Sequence, residues 1–299
     1  MASAGISPNI WLGGRLGYLS DAATQCWVRT TGRRVRWDEE QWLRSPSDPA
    51  TREAASDSDA AAQALEPALG LMPTFAALDG DGFDSSNVHP SVVGFYEQTA
   101  SYRLDVWSRW SLPFRPFGWL LAWIYSRRLD QLNIPLDPLD AGLGMTSRVL
   151  RAPGGDAVVW RRHLHANGRR VYEGHYGVGV PTRLGEPCVR VAFPLPNGSA
   201  TVFLRPSVLP GGGLRLLSAG RGFGDAGFYF TLAGDGTRGH ARFVRSAREC
   251  IDVFVDDAGR LRADHVFSWF GAPVFRLRYA MTREGDSQSV AASSSASAG

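Results

Sequence analysis

From Gly144 onward, apolar and polar residues alternate with a period of two, in short runs rich in Val, Phe, Tyr and Thr: MTSRVLRA, DAVVWRRHLH, RRVYEGHYGVGV, CVRVAFPL, SATVFLRP, LRLLSAG, GFYFTLAG, HARFVR, CIDVFVDD, RLRADHVFSWF and PVFRLRYAM. The separators carry turn chemistry. ANGR, PNGS and DDAG are hairpin signals, and LPGGG and AGDGT are loops that need positive φ. Eleven such strands with no helical interval long enough for a parallel crossover predict an antiparallel meander that curls or closes on itself. In RLRADHVFSWF, Leu261, Ala263, His265, Phe267 and Trp269 share one face, and the charged residues share the other.

Ahead of this region the pattern changes. Residues 63–142 read as mainly helical, with segments near Ala62–Leu69, Pro90–Ala100 and Phe117–Gln131. Residues 1–62 read as a poorly ordered appendage and linker, because RSPSDPATREAASDSDAAA is too polar and small-sided to bury a face. The tail 284–299 has the same character and is expected to be disordered. The predicted fold is therefore one α+β domain over residues 63–283: a large curled antiparallel sheet, an open barrel or cup, preceded by a helical segment.

The most apolar stretch, WSLPFRPFGWLLAWIYSRRLDQLNIP, admits three readings. Pro113 and Pro116 bar a helix from starting much before Phe117, and the unbroken apolar run to Tyr125 is far short of the ~20 residues of a membrane span. At about 100° per residue its bulky side chains take up most of the circumference. A buried core helix, a helix closing the mouth of the cup with Trp119 and Trp123 toward a ligand, and a helix lying in a membrane interface all fit.

Composition narrows the partners. All 32 basic residues are Arg, but they are scattered and nearly cancelled by 29 acidic ones, leaving a net charge of +3. No continuous basic footprint for nucleic acid results. Cys26, Cys188 and Cys250 are widely spaced with no CxxC, which implies neither a disulfide framework nor a structural zinc site. The N-terminal stretch lacks the basic and apolar regions of a signal peptide, so the expected location is cytoplasmic.

Chemistry-bearing motifs are sparse. His163 and His165 share a strand face, and a hairpin at Asn167–Gly168 could bring Glu173 or His175 beside them, a set suited to one metal ion. The same residues also suit a solvated strand among arginines. GRGFG follows no βα turn and reads as a bent loop, and no nucleophile sits in a recognisable context. The sequence identifies no cofactor and no catalytic centre.

The segments GFDSSNVHPSVVGFYEQTASYRLDVWSRW, RRLDQLNIPLDPLDAGLGMTSRV, VAFPLPNGS, LRPSVLPGGGLRLLS and LRADHVFSWFG together resemble a family of uncharacterised, mostly high-GC bacterial hypothetical proteins, over residues 70–282 or so. VVWRRHL and GRLRADHVFSWFGAPVFRLRY are more faintly similar to a domain of unknown function fused to saccharopine-dehydrogenase-like modules. The resemblance implies a β-rich domain and transfers no catalytic residue.

The function expected is a binding module for a hydrophobic small molecule or lipid, with Tyr96, Trp107, Trp119, Trp123, Tyr229, His265 and Trp269 lining the cup. The alternatives are a metal-dependent enzyme using His163, His165 and His175, and a structural or interaction protein without a cavity. No transmembrane segment is expected, and peripheral membrane contact stays open.

Overall fold

The alternating segments are the strands of one antiparallel sheet. The computed structural model describes residues 10–44, 66–111, 145–151, 157–164, 168 and 170–284. Its strands are β1 (Arg33–Arg36), β2 (Glu66–Pro67), β3 (Tyr102–Trp110), β4 (Met145–Arg151), β5 (Val158–Leu164), β6 (Arg170–Gly179), β7 (Cys188–Leu195), β8 (Gly198–Val208), β9 (Leu214–Leu217), β10 (Gly227–Ala233), β11 (Arg238–Val244), β12 (Ala247–Val255), β13 (Leu261–Trp269) and β14 (Ala272–Arg283). Strands β4–β14 match the eleven predicted runs one for one.

Strands β8, β7, β6, β5, β4, β3, β14, β13, β12 and β9 are successive hydrogen-bonded neighbours, and β9 pairs back onto β8. Ten strands thus close into a barrel, which leaves none of them with an open edge in the ring. Strand β8 forks to make this possible. Its first half, Gly198–Phe203, pairs with β10, while Arg205–Val208 pairs with β9 and shuts the ring. Strands β10, β11 and β1 therefore continue outward from the barrel as an extension.

Turn chemistry holds the hairpins as the sequence suggests. Asn197, at φ 60°, turns β7 into β8, and Gly259, at φ 73°, turns β12 into β13. A short helix, α2 (Pro90–Glu97), closes one end of the barrel. Pro90 occupies its first turn and His89 Nδ1 accepts from Ser91 N at 3.1 Å, satisfying an orphan amide. Phe95 packs edge-on against Tyr102 and Trp160, and Glu97 accepts from Phe75 N at 2.7 Å, tying the preceding loop to the plug.

Two expectations need correction. Within the segment read as helical, Tyr102–Trp110 is a barrel strand: Tyr102, Leu104, Val106 and Ser108 are buried on one face, and the alternation of YRLDVWSRW is a period of two. The helical share of the fold is small. Residues 10–44 are also more than an appendage. Helix α1 (Leu19–Thr31) lies on the extension, where Trp27 meets Phe230 edge-on, and β1 pairs with β11 from Arg33↔Ala241 to Arg36↔Arg238. Strand β1 reads as polar because three of its four residues are Arg, and its single buried side chain, Val35, is too little signal for a sequence pattern.

Candidate cavity inside the barrel

Inward-facing side chains leave a cavity of about 310 Å³ on the barrel axis. Most of its wall is aliphatic and aromatic: Val191, Leu204, Val253 and Leu277 from the ring, and Phe267 and Phe275 stacked at 5.3 Å near the β13–β14 turn. Parity along each strand selects these residues, since period-two alternation sends every second side chain to the axis. On β5, Val158, Trp160 and Arg162 point in. Arg161 points out, to an ion pair with Glu173 at 2.7 Å.

Seven polar or ionisable side chains belong to this wall: Tyr96, Arg162, Tyr172, Tyr176, Glu249, His265 and Tyr279. Arg162 is 8% exposed, with its Cζ 3.9 Å from the Trp160 ring centroid, 4.3 Å from Tyr172 and 5.5 Å from Tyr279. Such stacking suits the planar guanidinium better than an ammonium. Its one hydrogen bond among the described residues is a long one, 3.4 Å from Nη1 to the Tyr279 hydroxyl, and Nε has no partner. The carboxylate facing the cavity is engaged elsewhere: Glu249 Oε1 lies 2.5 Å from His265 Nε2.

The hydroxyls of Tyr172 and Tyr176 are 2.8 Å apart. Burial pushes both phenols up, that of Tyr176 to about 12, with Glu249 adding to the shift in each case. Both stay protonated at neutral pH and remain donors. Trp160, which is stacked on Arg162, is itself fixed by donating Nε1–H to Ser147 Oγ at 2.5 Å.

The predicted lining residues separate. Tyr96, on α2, and His265, on β13, line the cavity. Trp107 does not: it is 47% exposed on the outer face of β3, and its neighbour Val106 points inward. Tyr229 is buried on the other face of β10 from Phe228, packed with Trp42, Phe203 and Phe243 in a second core beneath the extension. Its hydroxyl donates to Asp225 O at 2.6 Å. Trp269, 38% exposed, ends β13 at the rim instead of lining the interior. For Trp107 and Tyr229 a shift of one position along the strand moves the side chain to the opposite face. Trp119 and Trp123 lie outside the described residues.

The three histidines do not assemble among the described residues. His163 pairs in register with Arg170, whereas His175 pairs with Val159 four residues back, ~13 Å along the strand at about 3.3 Å per residue. His165 lies outside the described residues. Among those residues no group of three His, Cys, Asp or Glu side chains forms a metal-ligating cluster.

Arg162, Tyr172, Tyr176, Glu249 and Tyr279 were not singled out from the sequence. One signal was available: in VVWRRHL, Arg162 falls in phase with Val158 and Trp160, an arginine on the apolar parity of its strand.

No family model matches the chain, and no solved structure matches it. The chain is similar to the uncharacterized membrane protein YndJ of Bacillus subtilis (strain 168), 28% identical over 142 residues. That match covers 46% of this chain and 25% of the relative, so the chain spans only a quarter of the curated protein it matches. The relative is named as a membrane protein, and this overturns the expectation of a cytoplasmic location. Among the described residues no helix is long and apolar enough to cross a membrane.

Proposed function

We propose that the barrel is a binding module for a hydrophobic small molecule held on its axis. One observation carries this reading: the cavity of about 310 Å³ has an apolar and aromatic wall interrupted by a few convergent polar groups. Ligand pockets share this anatomy, with volumes of roughly 300–1,000 Å³. A barrel whose only task was structural would gain more from filling the space, because unfilled volume forfeits dispersion contacts and destabilises the core. The rim supports the same reading, since Phe267, Phe275 and Trp110 line the cavity beside the turn that carries the exposed Phe270.

The test is native mass spectrometry of the purified chain, followed by organic extraction and identification of any released species. A bound apolar molecule at up to one per chain is the expected result. A chain that carries no adduct and binds no apolar dye or acyl compound sinks the proposal.

A second reading, contact with a membrane surface, is favoured by a specific cluster: Ile10, Trp11, Leu12 and Leu16 are all exposed beside α1. The printed name of the Bacillus relative points the same way. Flotation with vesicles should carry the wild-type chain and leave a Trp11→Ser, Leu12→Ser variant behind. Equal flotation of the two, or none for either, counts against it.

A further inference from the structure

We propose that the ligand is an amphiphile with a single anionic head, a carboxylate on an acyl-like tail, and that its head is seated on Arg162. This inference rests on the binding reading above and names the class of molecule bound.

The argument starts from an imbalance of charge. A guanidinium that is 8% exposed inside an apolar barrel is costly unless something compensates it. Among the described residues no carboxylate pairs with Arg162, its Nε–H donates to nothing, and the Tyr279 oxygen at 3.4 Å is a weak acceptor. The stacked rings of Trp160 and Tyr172 screen its faces but satisfy none of its in-plane N–H groups. Glu249, the one acid on the wall, is taken up by His265.

The neighbouring groups tilt the balance further toward donors. In the Tyr172–Tyr176 pair one hydroxyl donates to the other, so the acceptor still has its own hydrogen to give. Tyr279 accepts from Arg162 and keeps its O–H. A fork of N–H donors beside free phenol O–H groups matches the two oxygens of a carboxylate. The wall carries one arginine beside a Glu249–His265 pair, so its one permanent cation matches a single negative charge better than a phosphate dianion. A monoanion is therefore favoured. Beyond the head, Val191, Leu204, Phe267 and Phe275 offer nothing but apolar surface, which suits a tail.

The experiment compares dodecanoate, dodecanol and dodecyl phosphate by isothermal titration with the full wild-type chain and with Arg162→Met. The expected result is wild-type binding of dodecanoate about tenfold or more tighter than dodecanol, as charge-assisted hydrogen bonds imply. In Arg162→Met that preference is lost while dodecanol binding persists. The variant should also show a raised Tm without ligand, because an uncompensated buried charge has been removed. If wild type binds dodecanol as well as dodecanoate, the head-group inference falls and the binding module stands. If dodecyl phosphate binds tighter than dodecanoate, the carboxylate class is wrong. Retained preference in Arg162→Met overturns the role of Arg162. If wild type binds none of the three, both this inference and the reading beneath it fail. Should the variant not fold, the wild-type comparison of the three compounds still decides the class.

Discussion

The hydroxyls of Tyr172 and Tyr176 meet at 2.8 Å although the two residues are four apart on one strand, and the contact is made across Gly174. A β-carbon at Gly174 would lie 2.5 Å from the Tyr172 hydroxyl and 2.9 Å from its Cζ. The missing side chain is what lets the Tyr172 ring lean along the strand, over the glycine, while still stacking with Arg162.

Gly174→Ala should therefore displace the Tyr172 ring and break the phenol pair. A loss of about 1–3 kcal/mol is expected from overpacking of this kind, read by urea denaturation. Tyr172→Phe in the same background should recover part of the loss, since it removes the closest atom. Strict additivity of the two changes would show that the glycine acts elsewhere.

Phe270 holds φ 51° in the β13–β14 turn, followed by Gly271 at φ 84°, and is 81% exposed. Two successive left-handed residues are the turn that Asn-Gly favours, and a phenylalanine in the first position is strained. Phe270→Asn should stabilise the protein by about 1 kcal/mol, in line with the cost of left-handed backbone for an L-residue. Chemical denaturation measures it. If stability instead falls, the Phe270 ring is held by more than its edge contact with Trp269.

The three cysteines should separate by reactivity. Cys188 is fully buried and burial pushes its thiol up to about 12, whereas Cys26 is exposed on α1. Iodoacetamide at pH 8 should alkylate Cys26 first, as peptide mass mapping would show. Cys250, half-buried and also pushed up by burial, should follow more slowly. Cys188 should react only in denaturant. Labelling of Cys188 in the native state would mean that the core beneath the extension opens.

Asp256 anchors the β12–β13 turn. It accepts from the Ala258 and Arg260 amides at 3.0 and 2.9 Å and from the Arg260 and Arg262 side chains at 3.0 and 3.1 Å. The Arg260 amide above all, with the two guanidiniums, holds its carboxyl down at about 2. A depressed carboxyl contributes stability that is fully present above its unfolded value near ~3.9 and is lost as pH falls through about 2. Unfolding midpoints should therefore drop between pH 4 and 2 in the wild type, and less steeply in Asp256→Asn. Carboxyl NMR titration reads the group directly, and an ordinary titration near pH 4 would refute the assignment.

Much of the architecture was written in the chain's alternation. Each predicted run from MTSRVLRA to PVFRLRYAM became a strand, because period two and turn residues are local properties that a sequence displays openly. It announced that the sheet must curl or close, and what it could not display is which strands seal the ring. The ring depends on β8 serving β10 with one half and β9 with the other, and on Tyr102–Trp110 joining from a region expected to be helical. Both are pairings between distant residues. The site was lost by single positions: Trp107 for Val106 and Tyr229 for Phe228, since aromatic size was weighed ahead of strand parity. Arg162 was hidden by company, with Arg161 beside it on the solvent side; only the phase it shares with Trp160 sets it apart.

The fork in β8 leaves the ring fastened at one place by a very small clasp. Strand β9 contributes only four residues, Leu214–Leu217, held by β8 on one side and β12 on the other. Among the described residues every other junction of the ring is longer, apart from the Leu104↔Met145 bridge between β3 and β4. Closure of the barrel therefore rests on Leu214–Leu217, whose two short ladders bind it to β8 and to β12 at once.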